Sequence, residues 1–177
     1  MRVLIPGRFQ PFHLGHLHLV EHAFRENDEI IILIENADES FTFNNPMTSG
    51  ERIEMVREVL LKNFRNEFHR LMIFPMVNIK NNAEWVYHLK TMIPSFDLCY
   101  SNNPLVKILM ENAGINVMGV NLKEREKFSG REIRRRIFLK MDWETLVPGE
   151  VYRYIISRKI DERIRRLVTE NDNIVHG

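Results

Sequence analysis

Arg2-Val-Leu-Ile-Pro-Gly-Arg-Phe-Gln-Pro-Phe-His-Leu-Gly-His16 decides how this chain folds. Residues 2–5 form a short apolar run that predicts a buried strand. Residues 6–12, punctuated by Pro6, Gly7 and Pro11, predict a loop. From His13 the pattern turns helical, with Leu14, Leu17, Val20 and Phe24 near 3.6 spacing. The next apolar run, Glu29-Ile-Ile-Ile-Leu-Ile34, is unbroken rather than alternating, which suits a parallel sheet covered on both faces.

The same alternation continues downstream. Residues 35–47 are polar and turn-rich and predict a long loop. Thr48-Ser-Gly-Glu51 has capping-box spacing, so a helix should follow with Ile53, Val56, Val59, Leu60 and Phe64 inward. Residues 71–74 predict a third strand, 82–92 a helix that stops before Pro94, and 98–100 a fourth strand. Asn103-Pro104 is an N-cap and first-turn pair for a helix that runs to Ala113 and ends at Gly114. Residues 115–120 predict a fifth strand. Ser129-Gly-Arg-Glu132 repeats the capping-box spacing and opens a helix that carries Arg131, Arg134, Arg135 and Arg136. From Pro148 the chain is helical and charged.

This order predicts an α/β fold: a doubly wound, parallel, five-stranded, Rossmann-like sheet, with the C-terminal helices on one sheet edge. A single domain over 1–177 is expected, with a core of about 1–147 and a helical part from about 148 to 177. Net charge is +1, from 25 basic and 24 acidic residues, so no global field argues for nucleic acid or membrane. The start of the chain lacks the pattern of a signal peptide, and no apolar run is long enough to span a bilayer. A cytoplasmic protein is expected. The lone Cys99 excludes an internal disulfide and argues against a cysteine-based metal cluster. The basic segment Arg158, Lys159, Arg163, Arg165 and Arg166 is interleaved with Asp161 and Glu162. It therefore reads as a solvated or subunit-contact helix rather than a nucleic-acid arm.

In open α/β sheets, ligands bind beyond the carboxyl ends of the strands, at a topological switch point. The loop after the first strand has the chemistry for an anion there. Gly7 lets backbone come close to a ligand. The following helix offers unpaired amides and a positive dipole end. His13 and His16 are three residues apart, so both imidazoles can donate to phosphate oxygens from one side, with Gly15 keeping the approach clear. Arg8 adds a planar set of charged donors. A zinc site fits less well, because no carboxylate or thiolate is spaced to complete a tetrahedral shell. His18 and His22 read as surface or packing residues. At the second capping box, Ser129, Gly130 and the arginines that follow form another anion cradle.

The stretch Gly7–His16 resembles the His-x-Gly-His region of the nucleotidyltransferase superfamily, in wording closest to the archaeal-type nicotinamide mononucleotide adenylyltransferases. Ser129-Gly-Arg-Glu-Ile-Arg134 resembles the Arg-terminated motif with which that superfamily holds ATP phosphates, with Arg131 where relatives have Thr. The resemblance runs to about Pro148. It implies adenylyl transfer from ATP to nicotinamide mononucleotide, giving NAD and pyrophosphate. It also implies Mg2+ carried with ATP, and assembly into a homo-oligomer. By the same resemblance His13, His16, Arg8 and Arg134 are catalytic. Gly7, Arg8, Phe9, His13, Gly15, His16, Asn103, Ser129, Gly130, Arg131 and Arg134 bind ATP, while Asn82, Trp85, Phe12 and Asn36 meet the acceptor. Trp85 could stack on a pyridinium ring, or it could simply be core; Asn82 could hold the carboxamide, or cap a helix.

This chain also departs from the family. It has Asn36-Ala37 where relatives have Ser-Ala, Ser40-Phe41-Thr42 for Ser-His-Thr, Asn78 for Asp, and Asn102 for Gly. Asn tolerates positive φ better than most residues, so the turn at 102 can survive. Alternatives left open are adenylyl transfer to nicotinate mononucleotide, phosphopantetheine or a flavin phosphate, and an ATP- or NAD-sensing module without turnover.

Overall fold

The computed structural model describes residues 1–119 and 128–167. Five parallel strands lie in the order β3-β2-β1-β4-β5, with β1 Arg2–Gly7, β2 Glu29–Ile34, β3 Leu71–Pro75, β4 Leu98–Tyr100 and β5 Asn116–Met118. The order turns back between β1 and β4, which places the switch point beside the loop after β1. Strand β1 continues through Pro6 and Gly7, where a loop was expected. It can do so because β4 pairs only with Val3 and Leu4, so Pro6, which has no amide to donate, has a strand partner only in Leu33 of β2. The fifth strand is shorter than expected, and Val120 lies outside the described residues.

Both faces of the sheet are covered, as the unbroken apolar run of β2 requires. Val3, Ile5, Ile30, Ile32 and Ile34 face helices α1 (Leu14–Glu26), α2 (Ser49–Asn63) and α5 (Gly130–Phe138) in one buried cluster. Leu4, Ile31, Leu33 and Cys99 face α3 (Trp85–Met92) and α4 (Pro104–Asn112) in the other. Helices α6 (Gly149–Ser157) and α7 (Ile160–Leu167) correct one expectation. They pack on α2 and α5, not on a sheet edge. Their apolar stripe, Val151, Tyr154, Ile155, Ile160 and Ile164, is buried within the first cluster.

The arginines of the C-terminal segment are engaged. Arg163 grips Glu51 through two bonds of 2.8 Å, Arg158 meets Glu54 at 3.2 Å, and Arg165 pairs with Asp161. Arg163 also lies over the Phe41 ring, 4.7 Å from its centroid. Phe41 thus anchors α7 to the loop after β2. Among the described residues no helix is long and apolar enough to cross a membrane.

Candidate active site

A cleft of about 380 Å3 opens at the carboxyl ends of β1 and β4. Its walls include Gly7, Arg8, His13, Gly15, His16, Tyr100, Asn103, Ser129 and Gly130, and also Glu35, which the sequence reading had passed over.

His13 is the N-cap of α1, not a residue of its first turn. Its Nδ1 accepts from the His16 amide at 3.3 Å, and His16 Nδ1 accepts from the His13 amide at 3.2 Å. The pair is a capping box built from two imidazoles, with ring centroids 3.6 Å apart and planes 21° apart. This arrangement fixes the tautomers. An Nδ1 that accepts has no proton, so a neutral ring carries its proton on Nε2. Burial pushes the His13 pKa down to about 3. Burial and then the neighbouring His13 hold His16 well below the usual range. Both rings are therefore neutral Nε2–H donors at physiological pH. Gly15 makes room for them, since a Cβ there would stand 3.1 Å from His13 Nδ1 and 3.3 Å from Phe128 Cβ.

Protonating either ring turns its Nδ1 from acceptor to donor and breaks the cap. Folded pKa values below the unfolded 6.5 mean stability is fully present above pH 6.5 and is lost as pH falls toward 3. Glu35, whose pKa is raised from 4.5 to about 7, acts the other way between pH 4.5 and about 7, but below pH 6.5 it sets one proton against two. The melting temperature is therefore expected to fall from pH 6.5 to pH 5, at roughly 1.4 kcal/mol per pH unit for each net proton. A flat profile across that range would contradict the neutral pair.

The second cradle comes from α5. Ser129 caps it, its Oγ accepting from the Glu132 amide at 3.2 Å. The expected capping box is only half formed. The Glu132 carboxylate turns instead to Arg135 and Arg136, at 2.9 and 2.8 Å, and these two arginines hold its pKa down at about 2. Those arginines are thereby neutralised. Arg134 is only 2 % exposed, and its Nη1 donates to the Gln10 carbonyl at 2.6 Å. Burial, then the charges of Arg8 and Arg131, lower its pKa to about 10. Arg8, Arg131 and Arg134 thus form a cationic group with no carboxylate salt bridge to any of them among the described residues. That is an arrangement suited to a polyanion.

Two buried residues align these elements. Gln10 exchanges a pair of hydrogen bonds with the Met47 backbone at 2.9 and 3.0 Å. Arg52, fully buried in α2, donates to the carbonyls of Arg8, Glu35, Asn36 and Thr48 at 2.9, 2.6, 2.8 and 3.3 Å. Gln10 was detectable as a lone amide among aromatics; nothing in the sequence showed what Arg52 touches. Gly130 sets the spacing between α5 and the loop, because a Cβ there would lie 2.9 Å from the Gln10 carbonyl oxygen. Gly130→Ala should therefore push the two phosphate cradles apart. We expect a loss of at least about tenfold in kcat/KM for ATP, against a change of under twofold for Gly50→Ala, where the nearest atom is 3.9 Å away.

Other expected site residues lie off the cleft wall. Phe9 (φ 49°) and Phe12 are buried in the core beneath the loop, with ring centroids 5.7 Å apart. Asn36 turns its amide to Glu39 at 2.8 Å. Arg131 is exposed on the first turn of α5. Trp85 is 7 % exposed within the second cluster, and exposed Asn82 starts a 3-10 turn capped by Asn81. Asn102 does not take positive φ; the tight point is Gly119, whose Cβ would meet Asn102 Oδ1 at 2.8 Å. Cys99 is buried, and burial, then Glu35, push its thiol up to about 12, so it is no nucleophile.

A parallel sheet with two anion cradles at its switch point defines a nucleotide-handling enzyme of the nucleotidyltransferase kind. The chain belongs to the cytidylyltransferase-like family, which matches residues 4–136. It is 42 % identical over 167 residues to the nicotinamide-nucleotide adenylyltransferase of Saccharolobus solfataricus, covering 94 % of this chain and 96 % of that one. It is 40 % identical over 175 residues to the enzyme of that name from Methanococcus aeolicus, covering 99 % of each. Among solved structures, a bifunctional NMN adenylyltransferase/ADP ribose pyrophosphatase from Francisella tularensis superposes with a TM-score of 0.77 at 20 % identity. That match covers 97 % of this chain and 53 % of the other, so the chain spans about half the length of that protein. A second crystal structure of that enzyme, complexed with AMP and a manganese ion, gives a TM-score of 0.76 at 19 % identity over 97 % of this chain and 52 % of the other.

Proposed function

We propose that this chain transfers the adenylyl group of ATP to nicotinamide mononucleotide, giving NAD and pyrophosphate. The carrying observation is the pair of cradles facing one cleft: two neutral Nε2–H donors on one side, and the Ser129–Gly130 helix start on the other. The acceptor phosphate attacks the α-phosphorus of ATP in line, its P–O bond forming as the α–β bridging bond breaks. The electron pair leaves with pyrophosphate. No protein nucleophile is required.

Catalysis is positioning together with charge stabilisation. His13 and His16 donate to oxygens of the reacting phosphates. Being neutral, they add directional hydrogen bonds without holding the product by charge. Arg8 and the amides that open α5 receive the β- and γ-phosphates, and Arg131, exposed on the first turn of α5, adds positive charge nearby. Arg134 acts as a positioning residue, because its guanidinium holds the Gln10 carbonyl and so locks the loop to α5. Among the described residues the cleft wall offers one carboxylate, Glu35, so a magnesium ion would arrive on the triphosphate and lower its charge there. Self-association, carried by resemblance, and a cytoplasmic location, expected from the sequence pattern, are further parts of this reading.

Pyrophosphate release from Mg-ATP, with and without nicotinamide mononucleotide, tests the proposal. Release that depends on the acceptor, matched by NAD, is expected. Release only with nicotinate mononucleotide or another phosphate acceptor would replace the substrate, and ATP binding without release would favour a sensor.

Trp85 distinguishes two views of the acceptor pocket. Its burial predicts that Trp85→Ala costs about 3–5 kcal/mol of stability. A melting temperature unchanged by the substitution, with only KM for nicotinamide mononucleotide raised, would instead make Trp85 a substrate surface.

A further inference from the structure

Glu35 stands at the carboxyl end of β2, immediately beside the phosphate loop. Its amide donates to the Gly7 carbonyl at 3.0 Å, and its own carbonyl accepts from Arg52 Nη1 at 2.6 Å. With the backbone held on both sides, the side chain lines the cleft together with Gly7, Arg8, His13 and His16. Among the described residues its carboxyl group makes no hydrogen bond or salt bridge; Arg8 acts on it only as a nearby charge. Burial, offset in part by Arg8, raises its pKa to about 7, so the fold keeps this group at a cost. A polar group held rigidly, unpaired and at the wall of a ligand cleft points to the ligand as its partner.

The chemistry of the substrates narrows that partner. Phosphates would repel the carboxylate. In both nucleotides the group joined directly to the reacting phosphate is a ribose, and the bases lie one sugar further away. A ribose presents two neighbouring hydroxyls, which one carboxylate can accept together. The place in the fold agrees. In dinucleotide-binding sheets that also run 3-2-1-4-5 across this region, an acidic residue after the second strand takes ribose hydroxyls.

We propose that Glu35 is a specificity-determining residue of this cleft, whose carboxyl group accepts hydrogen bonds from the vicinal hydroxyls of a substrate ribose. This rests on the adenylyltransferase reading. The test compares the wild type with Glu35→Gln on ATP, nicotinamide mononucleotide, and the 2′-deoxy and 3′-deoxy forms of each. Wild type should lose about 10- to 100-fold in kcat/KM on the deoxy forms of one nucleotide, the scale of a hydrogen bond to a charged group. Glu35→Gln should lose a comparable factor on that natural nucleotide and discriminate much less between it and its deoxy forms. The affected nucleotide identifies whether the ribose is that of ATP or of the acceptor.

Glu35→Gln should also melt a few degrees higher at pH 8, because a buried charge is gone, so a loss of activity cannot be laid to unfolding. Equal discrimination by the two proteins on all four analogues would overturn the proposal. Calorimetric binding of the same nucleotides repeats the comparison without turnover. A wild type that forms no NAD therefore sinks the functional reading alone, while Glu35 is still decided by binding.

Discussion

His16→Ala is expected to lower turnover about 10²–10³-fold, the scale seen when one donor to a developing oxyanion is removed. The geometry allows a cleaner experiment than this single substitution. His16 does two jobs: its Nδ1 caps the His13 amide at 3.2 Å, and its Nε2–H is left for the substrate. Alanine removes both, so a lost cap, worth about 1 kcal/mol, accompanies the lost donor. Asparagine can keep an oxygen near the place of Nδ1 and still has nothing where Nε2–H stood. His16→Asn should therefore melt close to the wild type yet show nearly the full loss in kcat. If His16→Asn turns over at a near-normal rate, the imidazole is a cap and not a donor to phosphate.

Arg52→Met should strongly destabilise the fold. It removes donors from four backbone carbonyls in three segments, the loops after β1 and β2 and the start of α2. The Thr48 and Asn36 carbonyls keep the backbone amides of Arg52 and Glu39, each at 3.1 Å, but those of Arg8 and Glu35 lose their donor, at about 1–3 kcal/mol each. A total on the order of 3–5 kcal/mol follows, or a fall of roughly 10 °C in melting temperature for a chain of this length. Arg52→Lys should rescue little, because one ammonium group cannot reach the spread of carbonyls that a guanidinium spans. Activity should fall with stability, since the Arg8 and Glu35 backbones lose a common anchor. A Lys variant with wild-type melting would show that charge alone, not the fork of donors, holds the loops.

The order of strands and helices was legible because β2 is unbroken apolar sequence and because caps at Thr48, Asn103 and Ser129 mark helix starts with their own chemistry. His13, His16, Arg8, Gly7 and Ser129 converge because the loop after β1 and the start of α5 meet at the switch point, as strand order predicts. Less legible was how long polar side chains are spent. Glu132 could reach back to its cap, but two arginines one turn on compete for it and win. Arg134 has the spacing of an exposed phosphate ligand, yet it is buried, because Gln10 offers a carbonyl within reach across 124 residues of sequence. The docking of α6 and α7 on helices was hidden for a similar reason. An amphipathic stripe tells that a helix is covered, not by what. Glu35 ends an apolar run and looked like the beginning of a polar loop; only the sheet register turns it toward the cleft.

On this reading the cleft brings two nucleotides together for one direct displacement at phosphorus. Turnover of ATP made chiral at a sulfur-substituted α-phosphate, with nicotinamide mononucleotide as acceptor, tests it most directly. A dinucleotide product with inverted configuration at that phosphorus is expected. Retention of configuration, which requires an adenylyl group carried by the protein between two displacements, would contradict it.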